Sequence, residues 1–217
     1  MRLAAVVAIA ASTVVVSPVL AQADLPAQTP ASPRLNKLDV YFGLGSFKPQ
    51  SDAKLTGRSG SYSLALGFGS RYSRHIAWEI EYLSYGQDVD TPAGLKKSAP
   101  LTSVSDNAHI STWGIGGIAK LVQPIGPFDA YAGAGLGYYS SELKAFKTTL
   151  FFIPDEVKRK DRRFGTQFVA GIDLPYSDMS IWSVQYRKLI LNADFGPDIG
   201  DVGVGGSMWQ ISYRKFF

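Results

Sequence analysis

The chain has 217 residues, 46% apolar and only 18% charged, with 22 glycines, a formal charge of +4 and no cysteine. So apolar a composition excludes intrinsic disorder, glycine without a fixed period excludes a collagen-like rod, and the missing cysteines exclude a disulfide framework or a thiolate-held metal or iron–sulfur centre. The length suits one domain or two small ones, and so mild a charge does not mark a nucleic-acid binder.

The amino terminus reads as an export signal. Arg2 is the only charge before Asp24, Leu3 to Val16 is an apolar run, Pro18 breaks it, and Ala21-Gln22-Ala23 supplies the small residues of a cleavage site. The run is too short to span a bilayer and has no basic flank on its far side. Residues 1–23 are therefore predicted to be a signal peptide, cleaved after Ala23 or after Ala21. Loss of Arg2 leaves 21 basic against 18 acidic residues, a charge of +3. Residues 24–37, with Pro26, Pro30 and Pro33 among small polar neighbours, are predicted to be an extended tail.

From Leu38 onward the sequence alternates with period two. Leu38, Val40, Phe42 and Leu44 interleave with Asp39, Tyr41, Gly43 and Gly45. Tyr62, Leu64, Leu66 and Phe68 interleave with Ser and Gly, and Ile76, Trp78, Ile80 and Tyr82 with Ala77, Glu79, Glu81 and Leu83. The same habit recurs over His109–Val122, Phe128–Ser141, Phe164–Leu174, Met179–Leu191 and Ser207–Phe217. This predicts eight strands, longer than those of ordinary globular sheets, and no helix after the signal. The predicted connections alternate in length. Arg71–Arg74, Gln123–Pro127 and Pro175–Asp178 are short; Lys48–Gly60, Gln87–Ala108, Glu142–Arg163 and Asn192–Gly206 are long. Short turns at one end and long loops at the other fit a bacterial outer-membrane barrel.

The two faces of the strands decide between that barrel and a soluble one. One face carries Trp78, Ile80, Trp113, Ile115, Leu136, Phe168, Ile172, Val184, Ile211 and Tyr213. The other carries Gln167, Gln185 and Gln210, the acids Glu79, Glu81 and Asp173, and the bases Lys120, Arg187 and Arg214, with small residues between. A soluble barrel would put the apolar face inside. An eight-stranded barrel is just wide enough to be filled by its own side chains, and buried charges must pair, so a polar, balanced interior under an apolar exterior fits a wall set in lipid. The expected fold is an all-β, antiparallel, eight-stranded transmembrane up-and-down barrel over residues 38–217.

Specific segments strengthen this. Gly126-Pro127-Phe128-Asp129-Ala130-Tyr131-Ala132-Gly133-Ala134-Gly135-Leu136-Gly137-Tyr138, Trp78-Glu79-Ile80-Glu81-Tyr82 and Val184-Gln185-Tyr186-Arg187 resemble the fifth, third and seventh strands of the small outer-membrane β-barrel family, the OmpA/OmpX-like and opacity-type surface antigens of Gram-negative bacteria. Trp209, Ile211, Tyr213 and the terminal Phe217 share a register that resembles the signal read by the barrel assembly machinery, with Lys215 departing from its usual apolar residue. The resemblance implies an integral outer-membrane protein with a structural or surface-interaction role, in contact with outer-membrane lipids and lipopolysaccharide, and with host surface ligands as a further class of partner.

The chemistry-bearing residues are few. Glu79 and Glu81 share one face, as a catalytic carboxylate pair would, but matching bases on other strands point to an interior charge network of Glu79, Glu81, Lys120, Asp173, Arg187 and Arg214. His109 and Ser111 share a face near a loop end, and the register of the next strand brings in Glu142. These are the candidates for a Ser–His–carboxylate hydrolase acting on lipid A, although such enzymes resemble His-x-Ser-Asn and this chain reads His109-Ile110-Ser111-Thr112. Side chains two apart on a strand are neighbours by necessity, so His-x-Ser is a common accident and a polar rim is the preferred reading. A narrow small-solute channel is the remaining alternative. Lys158, Arg159, Lys160, Arg162 and Arg163, in the third long loop after Leu150-Phe151-Phe152-Ile153, are candidates to meet lipopolysaccharide phosphates. No dinucleotide, phosphate-loop or metal-ligand pattern is present, and no cofactor is expected.

Overall fold

Successive side chains leave a strand on opposite sides, so the alternation of Leu38–Leu44 becomes a wall with an apolar and a polar surface. The computed structural model describes residues 34–52, 55–92, 103–148 and 154–217. The predicted signal peptide and its cleavage site, the tail up to residue 33 and the Leu150–Ile153 quartet lie outside the described residues. The strands are β1 (Leu38–Pro49), β2 (Ser59–Arg71), β3 (Ile76–Asp90), β4 (Ser103–Ile125), β5 (Phe128–Thr148), β6 (Pro154–Ser177), β7 (Ser180–Ile190), β8 (Asn192–Asp194), β9 (Asp201–Gly203) and β10 (Gly206–Phe216). All but β8 and β9 join in one closed antiparallel ring. Pairing of Asp39 with Phe216 through Pro49 with Gly206 closes β1 onto β10, so the ring offers no free edge to lipid.

The short turns gather at one end, the turn end, where Gly126, at a φ of +59°, makes the bend between β4 and β5. Two expectations about the other end, the loop end, need correction. The segment Glu142–Arg163 is not a long loop: β5 continues to Thr148 and β6 begins at Pro154, paired from Glu142 with Lys160 up to Thr148 with Pro154. The basic run Lys158–Arg163 therefore stands on strand β6. The segment Asn192–Gly206 carries its own hairpin, β8 with β9, which the irregular spacing of its apolar residues concealed. The tail prediction also fails in part: Arg34–Lys37 pack against the barrel, with Asn36 N donating to Arg71 O at 2.9 Å.

The outward face is apolar. Every residue assigned above to the apolar face is exposed. Aromatic pairs mark two levels, Phe68 with Trp78 and Trp182 with Tyr213 toward the turn end, and Tyr82 with Trp113, Tyr138 with Phe164 and Tyr186 with Trp209 toward the loop end. An apolar band between two aromatic girdles is the exterior a bilayer requires.

Candidate functional site

The site of interest is the lumen, and it has two halves. The turn half holds the charges. Glu81 takes both terminal nitrogens of Arg187, the NH2 bond at 2.6 Å, and the Tyr41 hydroxyl donates to it at 2.8 Å. Arg187 also donates to Gln167 Oε1 at 2.8 Å. Glu79 accepts from Lys120 Nζ and from Arg214, each at 2.5 Å, and Arg214 extends the chain to Asp39 at 2.6 Å. Lys120 Nζ lies 4.2 Å from the Tyr131 ring centroid, and Arg214 Cζ 4.5 Å from that of Tyr41. Arg71 pairs with Asp129 at 2.7 Å nearer the mouth. Glycines make this fit: a Cβ at Gly67 would come within 2.6 Å of the Tyr41 ring, and one at Gly171 within 2.6 Å of the Tyr131 hydroxyl. Bidentate, charge-assisted bonds of this kind are what allow charges to be buried at all.

Of the six predicted network residues, five pair directly across the lumen. Asp173 instead accepts the Ser183 hydroxyl and, among the described residues, has no ion pair. The sequence reading missed Asp39, Tyr41, Arg71 and Asp129. Asp39 was visible on the inward face, but its partner Arg214 is on the last strand, and only ring closure brings the two together.

The loop half is different, and the expectation of a polar interior throughout is wrong there. Phe47, Leu83, Tyr85, Ile110, Tyr139, Leu143, Leu189 and Met208 line it, all buried. Leu191, Phe195, Ile199, Val202 and Val204, on and around the β8–β9 hairpin, pack into this cup from above. Burial of apolar side chains needs no directional partner, so this half closes by shape. Arg163 holds the cap from β6, reaching Asp201 at 2.8 Å and Asp194 at 3.8 Å; Arg159 reaches Asp198 at 3.6 Å, and Asp161 accepts from Asp194 N at 2.7 Å.

The basic run is thereby divided. Arg159 and Arg163 serve the cap. Lys158, Lys160 and Arg162 take the opposite, outward parity, in line with the girdle residue Phe164, and all three are exposed. Lys144 of β5 stands opposite Lys158 in register.

The hydrolase candidates do not come together. Ser111 stands opposite Glu142 in register, but Glu142 pairs with Lys144 at 3.4 Å. His109 Nδ1 lies 2.7 Å from Asp88 Oδ1, a partner the sequence reading did not name. Among the described residues, no hydrogen bond joins His109 to Ser111. Trp209, Ile211 and Tyr213 line the outward face of β10, and Phe217, just past its end, is exposed, with Lys215 Nζ 5.9 Å from the Phe217 ring centroid. Among the described residues, no cluster of His, Cys, Asp and Glu could hold a metal ion.

A closed ring of eight antiparallel strands with an apolar exterior and a filled lumen defines a transmembrane β-barrel. The chain belongs to the family of the outer membrane protein beta-barrel domain, whose pattern matches residues 7–213. Among solved structures it is similar to the outer membrane protein OprG from Pseudomonas aeruginosa, at 13% identity and a TM-score of 0.57 over 85% of this chain and 97% of that one. It is likewise similar to Neisserial surface protein A, at 14% identity and a TM-score of 0.50 over 83% and 97% of the two chains. No curated protein sequence matches significantly. These likenesses show that the chain shares the fold of small outer-membrane barrels.

Proposed function

We propose that this outer-membrane barrel is non-enzymatic and closed to solutes, and that it serves a structural or surface-interaction role, exported by a cleaved signal peptide and assembled through its last strand, β10. The observation that carries the reading is the lumen filled from both ends, by paired charges in one half and by the capped apolar cup in the other. The cavity left at the turn end, about 30 Å³, has room for one or two waters. That argues against a small-solute channel. The hydrolase reading has the His109–Asp88 pair in its favour, but among the described residues no base is hydrogen-bonded to Ser111.

With the short turns periplasmic, as in barrels of this class, Lys158, Lys160 and Arg162 stand just outside the outer aromatic girdle. There they would meet lipopolysaccharide phosphates, and the same exposed wall is the surface a host ligand would reach. The test is thermal unfolding in micelles with and without added lipopolysaccharide. Lipopolysaccharide should raise the midpoint of the parent protein and of an Arg159→Gln, Arg163→Gln variant, but not that of a Lys158→Gln, Lys160→Gln, Arg162→Gln variant. An undiminished rise in the latter would contradict the assignment of those contacts.

A further inference from the structure

The barrel ladder begins at Leu38, yet the residues before it do not leave the wall. Leu35 forms a parallel bridge with Arg71 at the end of β2. Asn36 adopts a φ of +58°, the left-handed region that asparagine tolerates better than most residues, and this turns the chain back over the mouth. Arg34 then reaches the far side, donating from NH2 to Ser177 O at the end of β6 at 3.1 Å, with its guanidinium 5.9 Å from the Phe216 ring centroid. Lys37 Nζ lies 3.1 Å from the Met179 sulfur in the next turn. Between the ends of β2 and β6 the ring runs through β1, β10 and β7, so Arg34–Lys37 span the turn-end mouth.

Charge accounting gives this crossing a purpose. The residual cavity beneath it is lined by the cations Arg34, Arg71, Lys120 and Arg214 and by the anions Asp39, Glu79, Asp129 and Asp173. The set is neutral only with Arg34 docked. Asp39, Glu79 and Asp129 each have a cation in contact, whereas Asp173 has, among the described residues, only the Ser183 hydroxyl. Burial lowers the pKa of Arg34, and Asp129 and Asp173 are the carboxylates that most raise it again.

We propose that Arg34–Lys37 is a strap that seals the periplasmic mouth of the lumen, with Arg34 as the cation that completes the charge balance beneath it. Released, the strap leaves a hydrated vestibule with one excess negative charge, which draws cations. The proposal rests on the sealed-lumen reading, but the two are tested apart. The apolar loop half still closes the barrel when the strap is free, so strap variants stay non-conducting.

The chain has no cysteine, so a single Val122→Cys thiol, on the cavity wall, reports access in the purified full-length protein in micelles. Its reaction with cationic trimethylammonium-ethyl methanethiosulfonate should be slow. Adding Arg34→Gln should speed it at least about tenfold, the shift in a local opening equilibrium that loss of one charge-assisted hydrogen bond produces. The anionic sulfonato-ethyl reagent should gain less. Arg34→Lys, which keeps the charge, should stay near the parent rate, and comparison of gel mobility before and after boiling checks that each variant is folded. An unchanged rate in Arg34→Gln would overturn the strap. Equal acceleration with both reagents would overturn it too, because a merely loosened mouth has no charge preference.

Discussion

The two halves of the lumen share one wall and solve the problem of filling it by opposite means. In the turn half, Glu81–Arg187 and Asp39–Arg214–Glu79–Lys120 are buried charges that depend on particular partners at particular atoms. In the loop half, Leu143, Leu189, Met208 and Phe195 are buried apolar groups that need only neighbours of the right volume. The difference predicts how each half fails. Removing a partner strands a charge in the first, while removing volume leaves a void in the second.

The largest effect should follow from Arg187→Ala. Among the described residues it leaves Glu81 buried with only the Tyr41 hydroxyl on its carboxylate, and loss of one member of a buried pair costs about 3–5 kcal/mol. Urea unfolding in micelles measures this. Replacing both members, Glu81→Leu with Arg187→Met, should recover most of the loss, since a well-packed apolar pair is often neutral or stabilising. If the double variant is no more stable than Arg187→Ala alone, stranded charge is the wrong explanation.

Leu143→Ala, in the loop half, should cost about 2–5 kcal/mol as a cavity-forming change. Combined with Lys120→Met in the turn half, its effect should add to within about 0.5 kcal/mol, because distant sites without shared partners do not couple. Coupling well beyond that would mean the halves are not separate structures.

The smallest effect on global stability belongs to Arg163→Gln. Its ion pairs with Asp194 and Asp201 are half exposed, and such pairs contribute about 0–1 kcal/mol. The unfolding midpoint should barely move, while the cap at 192–203 becomes more sensitive to protease. High salt should sensitise the parent in the same way. Unchanged cleavage in both would show that apolar contacts alone hold the cap.

The same contrast separates what a sequence displays locally from what only the closed ring creates. The lipid-facing surface was read residue by residue, from Trp78 and Ile80 to Ile211 and Tyr213, because a bilayer tolerates no interruption of an apolar band and period two displays it directly. The inward charges were read as a set, but not as pairs. Whether Glu81 meets Arg187 or Lys120 depends on strand order, stagger and ring closure, none of which is a local property. The cap was not legible at all. Phe195, Ile199, Val202 and Val204 sit among glycine, proline and aspartate without a period, and their partners Phe47 and Tyr85 lie on the first and third strands. The extension of β5 and β6 was hidden for another reason: Lys158-Arg159-Lys160-Asp161-Arg162-Arg163 reads as a solvated loop, yet a strand standing in water above the membrane can be charged on both faces. The hydrolase candidates show the converse. His109 and Ser111 are close by spacing, but cross-strand register gave the histidine to Asp88.

The lumen is closed by its own side chains from end to end if planar-bilayer recording of the purified protein finds it silent. No steady conductance should appear, in the parent protein and in the strap variant alike, because the apolar cup and its cap leave no continuous water column. Steady current on the porin scale through the parent protein would contradict it.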